Sequence, residues 1–164
     1  MTQITEIINN AGRWLEQQQD NESKGWGERR GSHVNVLNTA EAMIALIDSG
    51  ICHAGTSSIR GAVDFLLKHQ TVDGKDAGSW PRELTADDGK TIDIPDLVRT
   101  SYAIQALIKA GKGIDEGPVQ LALIWLLGRR NENTKGWSYA RGKPDALMPT
   151  CFALTALLDA YDAY

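Results

Sequence analysis

Four polar residues stand at the starts of the most apolar predicted helices, where they could bind a ligand. They are Asn38, Glu41, Arg99 and Tyr102. The N-terminus of a helix attracts anions, and Arg99 would add positive charge to such a site. The alternative, which we favour, is that Arg99 acts as a cap or as a salt-bridge partner of Asp96 or Asp93, since surface charges more often have structural roles.

The cysteines and histidines do not have the spacing of a metal site. Cys52 and His53 are neighbours in a predicted loop, whereas Cys151 begins a predicted helix far along the chain. Cys151 replaces an alanine of an equivalent helix, which predicts a small buried side chain. His33 and His69 are predicted to be surface or loop residues. We therefore expect no metal and no cofactor.

Length and composition indicate a single domain over residues 1–164. The net charge is −4 and the pI is about 5.3, which argues against nucleic acid as a partner because binding it requires clustered Lys and Arg. The longest apolar run, Leu121 to Leu127, is far shorter than the ~20 residues of a membrane span. The N-terminus lacks the pattern of a signal peptide. Free cysteines then fit a reducing cytoplasm.

The elements that must position these residues repeat three times along the chain. An aromatic-Leu pair near the end of one predicted helix precedes a Gly/Trp turn, and a second helix led by threonine follows. The three copies contain Trp14-Leu15, Gly25-Trp26 and Thr39; Phe65-Leu66, Gly78-Ser79-Trp80 and Thr100; and Trp125-Leu126, Gly136-Trp137 and Thr150. Repeats of this length are typical of stacked helical hairpins. The sequence therefore predicts an all-α fold of three α-hairpins, or six helices.

The two helices of each hairpin differ in their apolar pattern. In the first helix of repeat one, a single stripe at spacings of three and four indicates packing on one side. Its members are Ile4, Ile7, Ile8, Ala11, Trp14 and Leu15. The second helices are apolar on most faces, so we expect them inside, with Gly50 and Gly111 as left-handed C-caps.

Residues 71–95 form the longest segment without a helical pattern, and we expect it to be irregular. It contains Asp73-Gly74, Asp87-Asp88-Gly89 and two prolines, which favour turns. The paired carboxylates Asp87 and Asp88 are accordingly interpreted as a solvated turn. The only strand candidate is the short segment from Val34 to Leu37.

These motifs resemble the repeats of terpenoid cyclases, such as squalene–hopene cyclases, and of protein prenyltransferases. The cyclase repeat has Lys/Arg-Gly, an aromatic-Leu pair, Gln four residues after that Leu, and Gly-x-Trp. Repeat two matches nearly in full, with Arg60-Gly61, Phe65-Leu66, Gln70 and Gly78-Ser79-Trp80. Repeat one has Gln19, whereas repeat three has Arg130 in place of the Gln.

The resemblance implies half of an α/α toroid, because the closed barrel of that family has six hairpins. It also implies that the Gln and Trp side chains are structural and tie the end of an outer helix to the loop that feeds the inner helix. Large rings after a glycine turn can indeed be buried between hairpins. We expect Trp26, Trp80 and Trp137 to be packing residues.

The catalytic residues of the family are missing. Its cyclases that protonate an alkene use Asp-x-Asp-Asp-Thr-Ala, in which the middle Asp is the acid. Aligned on the Thr, that position is Leu37, Val98 or Met148 here, and none of these side chains can donate a proton. The Asp-x-Cys element that begins the zinc site of prenyltransferases is also absent. We therefore expect no cyclase activity from this chain alone and no bound zinc.

The leading hypothesis is a non-catalytic helical-repeat module that binds a partner protein or an apolar, isoprenoid-like ligand in its concave face. The alternative is a subunit of a split or oligomeric terpene cyclase or prenyltransferase, and a third possibility is a regulatory domain that serves a neighbouring gene product. Hairpins one and three each lack a neighbour, so we expect a homodimer or a partner protein that completes the toroid.

Overall fold

The computed structural model describes residues 2–85, 91–115 and 117–164. Within these ranges six α-helices form three hairpins, and about 55% of the chain is helical, as predicted. The helices are α1 (Thr2–Gln17), α2 (Val36–Asp48), α3 (Ser57–Lys68), α4 (Leu97–Lys109), α5 (Gly117–Gly128) and α6 (Leu147–Asp162). In this part of the chain no helix has both the length and the apolar character needed to cross a membrane.

The inner helices α2, α4 and α6 form one layer, in which α4 packs against both of the others. Alanines make this close approach possible, because Ala40, Ala103 and Ala153 are completely buried. Each inner helix is preceded by a capping or extended residue, and the Asn35 and Asp96 side chains cap α2 and α4 by accepting from backbone N–H groups. Gly50 and Gly111 have positive φ values of 72° and 84° after these helices, which confirms the predicted left-handed ends.

Helices α3 and α5 pack mainly on the hairpin before their own, whereas α1 packs on α2 of its own hairpin. Helix α3 packs on α2, and α5 packs on α4. The core lies at these contacts, where Leu46 of α2, Ile59 of α3 and Leu107 of α4 are fully buried. Each hairpin is therefore joined to its predecessor by an outer helix that lies on the preceding inner helix.

The segment predicted to be irregular contains a β-hairpin between α3 and α4. Strand β1 (Trp80–Thr85) pairs antiparallel with β2 (Thr91–Asp96). Asp87 and Asp88 lie outside the described residues. Pro81 and Pro95 are opposite each other in the register, and a two-stranded ribbon has only edge strands, where proline is tolerated. Residues 91–94 alternate between polar and apolar types, as strands do, but the two prolines favoured the prediction of turns instead.

The predicted strand from Val34 to Leu37 is wrong. Val36 and Leu37 already belong to α2, and Val34 forms only an isolated bridge with Gly27. Helix formation prevails here because Asn35 caps the helix by accepting a hydrogen bond from the Asn38 N–H at 3.0 Å.

The apolar stripe of α1 is largely exposed, in contrast to the equivalent faces of α3 and α5. Ile7 is 60% exposed and Trp14 is 63% exposed, whereas Phe65 and Trp125, which correspond to Trp14, are each 6% exposed. Helices α3 and α5 each bury this face on an inner helix of the hairpin before their own, whereas α1 contacts α2 of its own hairpin.

The predicted burial of Cys151 is also wrong, since this cysteine is exposed and Cys52 is the buried one. Cys151 follows Thr150 as Ala40 follows Thr39 and Ser101 follows Thr100. Ala40 and Ser101 are buried because α2 and α4 each pack on the inner helix of the next hairpin. Helix α6 is the third inner helix, and this flank of it is uncovered.

Candidate functional site

A tryptophan after each glycine turn locks the two helices of its hairpin together. The indole N–H donates to a carbonyl of the outer helix, and the backbone N–H donates to the threonine that opens the inner helix. The indole bonds are Trp26 to Leu15 (2.8 Å), Trp80 to Leu66 (2.7 Å) and Trp137 to Leu126 (2.8 Å). The backbone bonds reach Thr39 (2.9 Å), Thr100 (3.0 Å) and Thr150 (3.0 Å). All three rings are buried, which confirms that they are packing residues.

The glutamine of the motif joins one hairpin to the next. Gln19 Nε2 donates to the Lys24 carbonyl in its own loop at 2.7 Å and to the Ser58 carbonyl on α3 at 2.8 Å. Gln70 Nε2 donates to the Gly78 carbonyl at 3.2 Å and to the Pro118 carbonyl on α5 at 2.8 Å. Each glutamine thus ties its loop to the following outer helix.

The third loop makes only the first of these two bonds. Arg130 replaces the glutamine, and its Nε donates to the Lys135 carbonyl at 3.0 Å, as Gln19 does to Lys24. The Arg130 guanidinium also lies over the Trp137 ring, 5.8 Å from its centroid. A guanidinium carries five N–H donors, so Arg130 has donors beyond the one that its own loop uses.

Each loop covers the same three positions of the next outer helix. On α3 they are Ser58, Gly61 and Phe65, and on α5 they are Pro118, Leu121 and Trp125, at identical spacing. A Cβ on Gly61 would lie 2.8 Å from Lys24 Cβ, and a Cβ on Gly25 would lie 3.3 Å from the Phe65 ring. Gly78 packs directly on the backbone of Leu121. Trp125 Nε1 donates to Asp76 Oδ1 at 3.3 Å.

The corresponding positions of α1 are Ile7, Asn10 and Trp14, which we call the α1 strip. All three are exposed. Trp14 lines a groove of about 400 Å³ between α1 and α2, together with Leu15 and Ala45. The α1 strip is therefore the one set of loop-covered positions in the described chain that has no loop over it.

A second uncovered surface runs along α6 at the other end of the array. Its members are all exposed and recur at intervals of four, three, four and three residues, which places them on one helical face. We call this surface the α6 stripe; it consists of Leu147, Cys151, Leu154, Leu158 and Tyr161. The α6 stripe lies on the side of α6 against which a further inner helix would pack.

The structure separates the four polar residues predicted from the sequence. Asn38 and Glu41 line the groove beside Trp14. Arg99 lies in a different groove, of about 460 Å³, beneath the β-hairpin. Arg99 Nη1 is 3.3 Å from Asp96 Oδ2, which is the structural pairing that we favoured. Tyr102 packs on Phe152, with ring centroids 5.5 Å apart.

The charge of Glu41 affects Tyr102 across the inner layer. Partial burial raises the pKa of Glu41. Burial, and secondarily the charge of Glu41, raise the pKa of Tyr102. The charge of Glu41 on α2 thus reaches Tyr102 on α4, and Arg99 lies one helical turn before Tyr102 and pairs with Asp96.

A charged row that the sequence interpretation missed crosses the three inner helices. Lys109 Nζ lies 2.8 Å from Asp48 Oδ1, and this hydrogen bond raises the pKa of Lys109. Burial raises the pKa of Asp159, and the positive charge of Lys109 acts in the opposite direction by lowering it. Asp48, Lys109 and Asp159 each follow their helix-opening threonine by nine residues, so alignment on the threonines contains the signal. Among the described residues, no group of three or more His, Cys, Asp or Glu is placed to hold a metal ion.

Comparison with solved structures shows which known architecture these hairpins follow. No family model matches the chain, and no curated protein matches its sequence. In structure it is similar to Candida albicans protein geranylgeranyltransferase-I complexed with GGPP, with a TM-score of 0.67 and 18% identity over 96% of this chain. This chain shares that fold. The match covers 47% of the transferase chain, an α/α toroid, so this chain spans about half of its length. The fold predicted from the three repeats is thereby confirmed.

Proposed function

We propose that this protein is a non-catalytic helical-repeat module, a single domain over residues 1–164, whose uncovered end hairpins bind a second copy of the same chain. The observation that carries the proposal is the pair of exposed apolar surfaces at opposite ends of the array, the α1 strip and the α6 stripe. Contiguous apolar surface of this kind marks interaction sites.

A second copy is favoured because the two ends complement each other in packing order. The exposed face of α1 matches the faces that α3 and α5 bury, and the exposed face of α6 matches faces that α2 and α4 bury. In the joints inside the chain, α3 lies on α2 and α5 lies on α4, so α1 of one copy would lie on α6 of the other. A two-fold axis forms both contacts at once. Two copies together would also match roughly the length of the transferase chain.

The inner layer supports a binding role rather than a catalytic one. The positions aligned with the cyclase acid are Leu37, Val98 and Met148, and none of them is ionisable. The charged row of Asp48, Lys109 and Asp159 would have to be desolvated by an isoprenoid chain such as that of GGPP, which is unfavourable. A polar surface of a protein partner suits this face better, with Asn38, Glu41 and Tyr102 as contacts at its edge. We place the protein in the cytoplasm, which suits its free thiols.

Light scattering after size exclusion tests this function. We expect twice the 17.9 kDa of one chain for the wild type, decreasing to the mass of one chain on dilution. Leu158→Glu should give the single-chain mass because it places a charge in the α6 stripe. Val72→Glu is the matched control, because Val72 is also exposed, at 68% against 58% for Leu158, but lies outside both surfaces. A wild type of 17.9 kDa at every concentration, or a dimer that Leu158→Glu leaves intact, would overturn the proposal.

A further inference from the structure

The third loop has the same backbone form as the first, although the first covers a helix and the third does not. Arg130 precedes Trp137 by seven residues, as Gln19 precedes Trp26. Lys135 and Lys24 both have left-handed φ values, 66° and 62°. The two loops also close with equivalent backbone hydrogen bonds of 2.9 Å, from Asn131 N to the Gly136 carbonyl and from Asp20 N to the Gly25 carbonyl.

The first loop shows what such a loop does when it meets an outer helix. Lys24 lies over Gly61, and Gln19 donates to the carbonyl three residues earlier on the helix. If the third loop made the same contacts, Lys135 would lie over the residue equivalent to Gly61, and Arg130 would lie beside the residue equivalent to Ser58. Such residues exist uncovered in this chain on α1.

We propose that the loop of residues 130–137 in one copy clamps the α1 strip of its partner, with Lys135 over Asn10 and Arg130 donating to the Ile7 carbonyl. This clamp rests on the proposed function, because it requires a second copy. It encloses Trp14 as the first loop encloses Phe65. The open side of the Trp14 groove would thereby be covered by the partner.

In the clamp, the distance between loop and helix is larger than in the equivalent loop–helix contacts inside the chain. At the first joint, Lys24 faces Gly61, and at the second joint Gly78 faces Leu121, so one partner is always glycine. Lys135 and Asn10 both carry side chains, which holds the third loop farther from its helix. Arginine is longer than glutamine, and Arg130 can therefore span the greater distance. We therefore expect this contact between copies to dissociate on dilution.

Disulfide cross-linking tests the clamp at its centre. The variant Asn10→Cys/Lys135→Cys is made in a Cys151→Ala background, which leaves only the buried Cys52 as a native thiol. Because Cys151 belongs to the α6 stripe, light scattering first checks that Cys151→Ala alone has the mass of the wild type. The equivalent pair at the first joint, Lys24 and Gly61, would have Cβ atoms 2.8 Å apart. A somewhat wider joint reaches the ~3.5–4.5 Å that a disulfide needs. Positions 10 and 135 lie in the first and third hairpins, so their bond forms between copies.

We expect mild oxidation to convert most of this variant into a covalent dimer on a non-reducing gel. The matched control is Asn9→Cys/Lys135→Cys, because Asn9 is exposed on α1 but lies about 100° around the helix from Asn10. It should cross-link at least about tenfold more slowly if the register is correct, a factor that corresponds to about 1.4 kcal/mol. If light scattering shows a dimer and the two variants cross-link equally, the clamp is wrong and the homodimer stands. If light scattering shows one chain at every concentration, both are wrong.

Discussion

Replacing Gly78 with alanine is expected to destabilise the protein by roughly 4 kcal/mol, as the sum of backbone strain and overpacking. Gly78 has a φ of 95°, in the left-handed region that side chains rarely adopt. A Cβ at this position would overlap the Leu121 carbonyl group and lie 2.9 Å from Ala122 N. These are backbone atoms of α5, so the clash can be relieved only by moving the loop away from the helix.

Gly74→Ala separates the two causes. Gly74 also has a positive φ, 73°, but a Cβ there would meet nothing within 4 Å. It should therefore cost only the strain, about 1 kcal/mol. The measurement is urea unfolding followed by circular dichroism for the wild type and both variants. Equal losses in the two variants would contradict the close contact between the second loop and α5.

Thr39→Val is expected to cost about 2 kcal/mol, because it leaves a buried donor without a partner. Thr39 Oγ1 accepts the Trp26 N–H at 2.9 Å, and both residues are buried. Valine has nearly the shape of threonine, so the change removes the acceptor without creating a cavity. The repeated threonines therefore serve as acceptors for the turn and are not only helix starts.

The matched control for this variant is Thr155→Val on α6. Thr155 is exposed, and its hydroxyl bonds only to carbonyls of its own helix, so its loss should stay within about 0.5 kcal/mol. Thermal unfolding of the two variants beside the wild type gives the comparison. A Thr39→Val protein as stable as Thr155→Val would show that the Trp26 N–H finds another acceptor.

The bonds that connect the helices of each hairpin were predictable because the residues that make them recur three times along the sequence. The Trp and Thr positions recur at matched places, and the structure gives them the same bonds in each copy, whereas the Gln recurs only in the first two. The charged row was equally accessible, since Asp48, Lys109 and Asp159 occupy one aligned position. Repetition converts a weak residue preference into a structural prediction.

The uncovered surfaces were not predictable for a physical reason. An apolar stripe such as that of α1 has the same sequence pattern whether its partner is in the same chain or in another molecule. The burial of Cys151 was wrongly predicted for the same reason, because an alanine-like position is buried only if a neighbouring helix covers it. The β-hairpin was missed because Pro81 and Pro95 argue against strands unless they lie in edge strands.

The separation of Arg99 from the other candidate residues depends on the β-hairpin as well. Arg99 pairs with Asp96, the last residue of β2 and the cap of α4. The sequence identified this pairing as the structural alternative, but it did not indicate that the hairpin would form one wall of the groove in which Arg99 lies. Asn38 and Glu41 line the other groove, beside Trp14, where we expect the partner to bind.

Trp14 fluorescence during dilution tests the proposed homodimer more directly than any variant does, because this residue reports on the proposed interface alone. The other four tryptophans are between 0% and 6% exposed, whereas Trp14 is 63% exposed in the single chain. We expect the emission maximum of the wild type to move to longer wavelength as the dimer is diluted and Trp14 becomes exposed to water. A Trp14→Phe protein diluted in parallel should show no such shift. A wild-type emission maximum that stays constant across the whole dilution series would contradict the account.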